Sequence, residues 1–149
     1  MTTCHRGLRA LRPETLSLMP AQSGAPDPDD VLAILVRHKP KYVLVAVAGE
    51  IDIATVARLR KRLRALAASG RPLVADLDQV SFIDAAGLAA LAGAARLAAE
   101  HGASLHVVCA RPQIRRLFRL TGLDASIPLA RTLAEALQIL EASPEGRVS

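Results

Sequence analysis

Aromatic residues are almost missing from this sequence. It has no tryptophan, two phenylalanines and one tyrosine among 149 residues. Proteins that bind nucleic acids usually place stacking aromatics beside their basic residues. The excess of 19 Lys and Arg over 14 Asp and Glu falls largely in two segments predicted to be helical: Arg58, Arg60, Lys61, Arg62 and Arg64, and Arg111, Arg115, Arg116 and Arg119. We interpret both as solvated helix faces and expect no direct contact with nucleic acid.

Cysteine and long apolar runs are scarce as well. Cys4 and Cys109 are too few for a disulfide framework or a metal site, and the stretch LHVVCA indicates that Cys109 is a small core residue. No apolar run approaches the roughly 18 residues that span a bilayer. Arg6, Arg9 and Arg12 are not followed by the apolar core of a signal peptide. The sequence therefore predicts a soluble, cytoplasmic protein without membrane insertion.

The composition predicts one folded domain with a tail at each end. Hydrophobic residues make up 51% of the sequence and charged residues 22%, which suits a single core. Residues 1–28 combine four prolines with serine and glycine, a pattern typical of a flexible N-terminal tail. We assign the domain to residues 29–142 and a C-terminal tail to residues 143–149. Both Met1 and Met19 remain candidates for the native start.

Alternating periodicities predict the first half of the fold. Two β-branched runs around the turn His38-Lys39-Pro40-Lys41 predict a hairpin that opens a sheet. Apolar residues at helical spacing from Val56 to Leu66 then predict an amphipathic helix, which Gly70 ends. The short apolar run PLVADL is typical of a buried strand.

The second half continues the alternation. A helix is predicted from about Ala85 to His101, followed by the buried strand SLHVVCA and a helix that Pro112 opens. The run SIPLA predicts a last strand near an edge of the sheet, because it contains proline. Thr132 and Glu135 form a capping box for the final helix. The order β-β-α-β-α-β-α-β-α predicts an α/β sheet covered by helices.

The segment FIDAAGLAAL, residues 82–91, joins a strand to a helix in an unusual way. Asp84 is a good N-cap, and a role in partner contact is the alternative. Gly87 costs about 1 kcal/mol of helix propensity relative to alanine, which indicates that something approaches the backbone there, unless it is a simple loop-exit glycine. We expect Leu88 and Leu91 to lie in the core.

Three segments together resemble the STAS domain of anti-sigma factor antagonists: GEIDIATV, VADLDQVSFIDAAGLAAL, and TGLD followed by a capped helix. The resemblance runs from about Val31 to Leu140. It implies a STAS-like mixed β-sheet of about five strands covered by about four helices. In that family the domain binds a partner that is both an anti-sigma factor and a serine kinase of ATPase-like fold, and binding releases a sigma factor for transcription.

The resemblance also implies that the partner binds at the loop and helix start after the central strand, which here are Asp84, Ala85, Ala86, Gly87 and Leu88. We add Glu50 and Asp52, at the end of the hairpin, as further candidate contacts. A polar, solvated rim remains the alternative for Glu50 and Asp52. The family's phosphoacceptor is a Ser or Thr at the second position after the loop aspartate, which here is Ala86. Alanine has no hydroxyl, so we expect binding without the usual control by phosphorylation, unless Ser81 or Thr55 takes over. We expect a monomer or a weak dimer.

Patterns that would indicate catalysis are weak. Asp76, Asp78 and Asp84 suggest a phosphoryl-accepting receiver domain, but such a domain needs acidic residues after its first strand, where this chain has Arg37-His38-Lys39. No phosphate-binding glycine loop or nucleophile arrangement stands out. We therefore predict a non-enzymatic protein without metal or cofactor. The alternative function is that of a detached STAS subunit docking on a lipid or anion transport complex.

Overall fold

A computed structural model describes residues 31–142. The expected tails at residues 1–28 and 143–149, and the choice between Met1 and Met19, lie outside the described residues. The elements are β1 Leu32–His38, β2 Val43–Ile51, α1 Val56–Ala67, β3 Leu73–Ile83, α2 Ala85–Glu100, β4 Leu105–Val108, α3 Pro112–Thr121, a 3-10 turn Leu123–Ala125, β5 Leu129–Ala130 and α4 Leu133–Ala142. This confirms the predicted order of strands and helices.

The five strands form one mixed sheet in the order β1-β2-β3-β4-β5. β1 and β2 are antiparallel, as the predicted hairpin requires, and each later strand runs parallel to the one before it. Gly49 in β2 is needed for this pairing: its φ is 111°, and a Cβ would overlap the carbonyl oxygen of Val31. That carbonyl instead accepts a hydrogen bond from the amide of Glu50 at 3.0 Å.

Helices α1, α2 and α3 cover one face of the sheet. Each connects two neighbouring parallel strands. Because such crossovers are right-handed and each new strand is added at the same edge of the sheet, all three helices lie on the same side. α1 buries Val56, Leu59 and Leu63 of the predicted apolar stripe. Its last turn buries Ala67, whereas Leu66, the fourth predicted member, is only partly buried. Together with the inward residues of the strands, these helices enclose the main core, which includes Cys109.

Helix α4 lies on the opposite face. Its Ala136 packs with Val74, Val108 and Ala130 of three adjacent strands in a second, smaller cluster. The predicted capping pair is present in modified form: the amide of Glu135 donates to Thr132 Oγ1 at 3.1 Å, but the Glu135 carboxylate accepts from the amide of Arg131 at 2.7 Å. β5 is an edge strand, as its neighbouring proline predicted.

Strand β3 is longer than its apolar run indicates. It continues through Asp78 and Gln79 to Ile83, because β2 pairs with it along most of its length. The pairing shifts register between Ala46 and Ala48 and again between Gly49 and Glu50. β3 thus carries the chain to the start of α2, where the candidate site lies.

Candidate partner-binding site

The parallel strands β2 and β3 end side by side, so the two loops that follow them meet at one edge of the sheet. Glu50 pairs with Phe82 and Ile51 with Ile83 in the register of the strands. The amide of Asp84 donates to the carbonyl oxygen of Ile51 at 3.1 Å. The predicted residues of the two segments, 50–52 and 84–88, are therefore brought together.

Asp84 caps helix α2, as its position predicted. Its side chain accepts a hydrogen bond from the amide of Gly87 at 3.1 Å, and its own carbonyl accepts from Leu88 at 3.0 Å. The residue has extended backbone dihedrals and is half-buried, which is typical of an N-cap. Capping explains why an aspartate stands here, and a contact with a partner remains a prediction.

The close approach predicted at Gly87 is made by the protein's own sheet. A Cβ on Gly87 would lie 2.6 Å from Ile51 Cγ2 and 2.7 Å from Ile83 Cγ1. Gly87 is buried, and Leu88 is 6% exposed. Core packing leaves both residues little area to offer a partner, so their place in the partner-binding surface stays a prediction, and the exposed residues around them are the stronger candidates. At the helix start, Ala85 is exposed and Ala86 is half-buried against the core.

Asp52 organises the loop between β2 and α1. Its Oδ1 accepts from the amides of Ala54 at 2.9 Å and Thr55 at 3.1 Å. Thr55 is 8% exposed, and its hydroxyl donates to the carbonyl oxygen of Glu50 at 2.8 Å. This gives Asp52 a structural role and withdraws the Thr55 hydroxyl from the surface. Ser81, by contrast, is exposed.

Two exposed apolar residues at the same edge were missed in the sequence. Ile53 is 79% exposed and Phe82 is 50% exposed. The exposure of Ile53 could have been predicted, because this isoleucine stands between the turn residues Asp52 and Ala54. The exposure of Phe82 could not have been predicted, because Phe82 stands between exposed Ser81 and buried Ile83 at the end of a strand in which buried and exposed residues do not alternate regularly.

We use the name docking edge for the surface that these residues form together. Its members are Glu50, Asp52, Ile53, Phe82, Asp84, Ala85 and Ala86. It combines two exposed apolar side chains with three carboxylates and a helix start that has no bulky side chain. An apolar centre with a polar rim is the usual composition of a protein-binding surface.

The other candidate chemistry of the sequence has structural explanations. Asp78 Oδ1 accepts from the amide of Ala110 at 2.7 Å and thereby fixes the loop after β4. Cys109 is fully buried, and this burial raises the pKa of its thiol. Within residues 31–142, no group of three or more His, Cys, Asp or Glu side chains is placed to hold a metal ion.

Comparisons with known proteins agree with this architecture. The family described as STAS domain matches residues 33–136. The anti-sigma-B factor antagonist of Bacillus subtilis is 33% identical over 95 residues, which are 64% of this chain and 87% of that protein. The crystal structure of an anti-sigma factor antagonist from Mycobacterium paratuberculosis is 36% identical with a TM-score of 0.67, and the match covers 72% of this chain and 92% of that one.

A similar domain also occurs inside a larger protein. The murine anion transporter Slc26a9 matches 72% of this chain with 18% identity and a TM-score of 0.60, over 19% of its own length. At this identity the likeness extends to the fold alone. None of the helices between residues 31 and 142 has the length and apolar character to cross a membrane. Given a family match over residues 33–136 and a relative 33% identical across most of its own length, the chain belongs to the STAS domain family.

Proposed function

We propose that this protein is an antagonist of an anti-sigma factor, which it binds in the cytoplasm through the docking edge. Two kinds of similarity support this: a 33% identical relative and a 36% identical solved structure are both named anti-sigma factor antagonists. The partner is an anti-sigma factor with an ATPase-like kinase fold, and its capture frees a sigma factor for transcription. The protein acts by binding and not by catalysis.

The observation that carries the proposal is the exposure of Phe82 beside the start of α2. Phe82 pairs with Glu50 in the register of the strands. Together with Ile53 it offers apolar side-chain area that the rest of residues 31–142 leaves exposed. Aromatic residues at the centre of a surface commonly contribute most of the binding free energy. Ala85 and Ala86 leave the helix start flat enough for a partner to pack closely against it.

We also propose that binding is not switched off by phosphorylation at the usual loop position. Alanine at position 86 has no hydroxyl to modify. Of the two other hydroxyls that the sequence suggested, Thr55 is buried and holds the Glu50 carbonyl, which makes it a poor kinase substrate. Control of the protein then passes to its expression level, to a competing antagonist or to another hydroxyl, of which exposed Ser81 is the remaining candidate.

The test measures binding to the anti-sigma factor recovered with the tagged protein from its native host. Phe82→Ala should weaken the affinity at least tenfold, or about 1.4 kcal/mol. Leu120→Ala is the matched control, because Leu120 is 70% exposed on α3, in a different part of the chain. Equal affinity of both variants and the wild type would place the interface elsewhere.

The second candidate is a detached STAS subunit of a transport complex. The Slc26a9 likeness gives it a precedent in fold, although it supplies no residue-level argument. The same recovery experiment separates the two functions. Permease or ATP-binding subunits in place of an anti-sigma factor would support the transport function and contradict our first proposal.

A further inference from the structure

The outer surface of helices α1, α2 and α3 is strongly basic. In the sequence its charges fall in separate segments, but the fold sets the three helices in one layer on the same face of the sheet. Eight basic residues of this layer are exposed, against one exposed acidic residue, Glu100. We use the name basic layer for this surface. Its basic residues are Arg58, Arg60, Lys61, Arg62, Arg64, Arg96, Arg116 and Arg119.

The rest of the described chain has the opposite balance. Outside these three helices, residues 31–142 contain six basic and eight acidic residues. Three of the acidic residues, Glu50, Asp52 and Asp84, belong to the docking edge, at the end of the sheet where α1 and α2 begin. The positive charge is therefore concentrated on one side of the molecule, where it creates a field that attracts anionic surfaces.

The basic layer is broad and has little relief. Packed helix axes lie about 8–10 Å apart, so the basic residues of α1 and α3 flank the middle helix at short range. The exposed residues of that helix include Ala85, Ala89 and Ala99, which do not protrude. The one aromatic residue of the three helices, Phe118, is fully buried, so the layer offers no stacking platform for a nucleic acid. Its shape suits a planar anionic surface.

An exposed apolar side chain accompanies these charges. Leu120 is 70% exposed near the end of α3, directly after Arg119. Basic residues that surround an exposed leucine are typical of protein surfaces that bind at the boundary between lipid headgroups and acyl chains. A nucleic acid backbone would gain little from this leucine.

We propose that the basic layer binds the surface of an anionic phospholipid bilayer, without insertion of a helix. The arginines and lysine contact the headgroups and stay hydrated there, and Leu120 enters the boundary of the acyl chains. The carboxylates of the docking edge are repelled by the same surface, so this end of the sheet points away from the membrane and stays open to a protein partner. The proposal goes beyond the proposed function and is compatible with either candidate.

The experiment is co-sedimentation of the full chain with lipid vesicles at physiological ionic strength. Vesicles of equal parts phosphatidylcholine and phosphatidylglycerol should bind the protein, and vesicles of phosphatidylcholine alone should not. Each Lys or Arg near an anionic membrane strengthens binding about fivefold, so the double variant Lys61→Glu and Arg116→Glu should bind at least tenfold more weakly. The matched control, Lys41→Glu and Arg131→Glu, changes the net charge equally at exposed positions outside the layer and should bind nearly as well as the wild type.

Two further arms identify the ligand. Leu120→Ala should weaken vesicle binding severalfold, because it removes apolar area without changing the charge. Free glycerol phosphate, which has the same headgroup chemistry, should not compete at millimolar concentration, because a single phosphate meets only part of the layer.

Four outcomes would overturn the proposal. Absence of binding to the phosphatidylglycerol vesicles, or equal binding to phosphatidylcholine alone, would contradict it directly. Equal weakening in the two charge-reversal variants would show attraction by net charge without a defined surface. Effective competition by glycerol phosphate would indicate a site for a single phosphate, and tighter binding to RNA than to the vesicles would make nucleic acid the ligand. None of these measurements involves an anti-sigma factor, so their failure leaves the proposed function untouched.

Discussion

Ile51 Cγ2 lies 2.6 Å from the point that a Cβ on Gly87 would occupy. Helix α2 therefore rests on the end of the sheet at a separation that only glycine permits. The contact fixes the height of the helix start, and with it the position of Ala85 and Ala86 relative to Phe82 on the docking edge. In the function that we propose, the glycine therefore has an indirect part, through the placement of its neighbours.

Replacing this glycine should lower stability. Gly87→Ala gains about 1 kcal/mol of helix propensity, but it forces a methyl group against two β-branched side chains, and such overpacking costs about 1–3 kcal/mol. Because isoleucine is stiff at χ1 in a strand, we expect a net loss of about 1 kcal/mol in the free energy of unfolding, measured by urea titration. Gly93→Ala is the control: a Cβ there meets nothing within 4 Å, so this variant should gain stability. A Gly87→Ala protein as stable as the wild type would contradict the packing argument.

The cap at Asp84 should have a measurable effect of its own. Asp84→Ala removes the acceptor for the Gly87 amide and should cost about 1 kcal/mol of stability. Asp84→Asn keeps a capping oxygen and should remain within a few tenths of a kcal/mol of the wild type. Thermal unfolding of the three proteins gives the comparison. An asparagine variant as unstable as the alanine variant would mean that the negative charge, rather than the cap, is what matters.

A serine at position 86 should restore a phosphorylation switch. With the partner kinase and ATP, the wild type should show no phosphoryl group by intact mass, and Ala86→Ser should gain one. The phosphate brings about −1.5 to −2 charges to a surface that already has three carboxylates, so binding should weaken after modification. Ala85→Ser serves as the control for a neighbouring, more exposed hydroxyl. If the wild type itself is phosphorylated and its binding responds, control at another hydroxyl such as Ser81 replaces our model of constitutive binding.

The exposed face of α1 should not recognise DNA. Its basic residues, Arg58, Arg60, Lys61, Arg62 and Arg64, are all exposed, and the aromatic residues that would accompany a nucleic-acid surface are absent from this helix. Any retention on duplex DNA should disappear as salt is raised to physiological concentration. Gel retardation with specific and scrambled duplexes measures this. A preference for one sequence at physiological salt would refute the interpretation of a solvated face.

Local signals were sufficient for most of the architecture. The β-branched runs around Lys39-Pro40 predicted the opening hairpin, and Asp84 predicted both the start and the cap of α2, because turns and caps depend on a few adjacent residues. Gly87 was recognised as unusual, but the sequence could not tell whether a partner or the protein's own sheet approaches it. That distinction depends on Ile51, which lies 36 positions earlier in the chain.

The composition of the docking edge was harder to predict. Phe82 stands between exposed Ser81 and buried Ile83, at the end of a strand in which register shifts against β2 break the alternation of buried and exposed residues. Counting alternate positions from Leu73 fails once a bulge has intervened.

The order of the strands in the sheet is the same as their order in the chain. Each strand is therefore synthesised directly after the strand with which it pairs, and no later strand has to insert between two earlier ones. During translation the hairpin of β1 and β2 can form first, and β3, β4 and β5 can be added one by one as they leave the ribosome. Contacts between segments close in sequence also favour rapid folding. The docking edge between β2 and β3 would then be complete before α3 and α4 have been made.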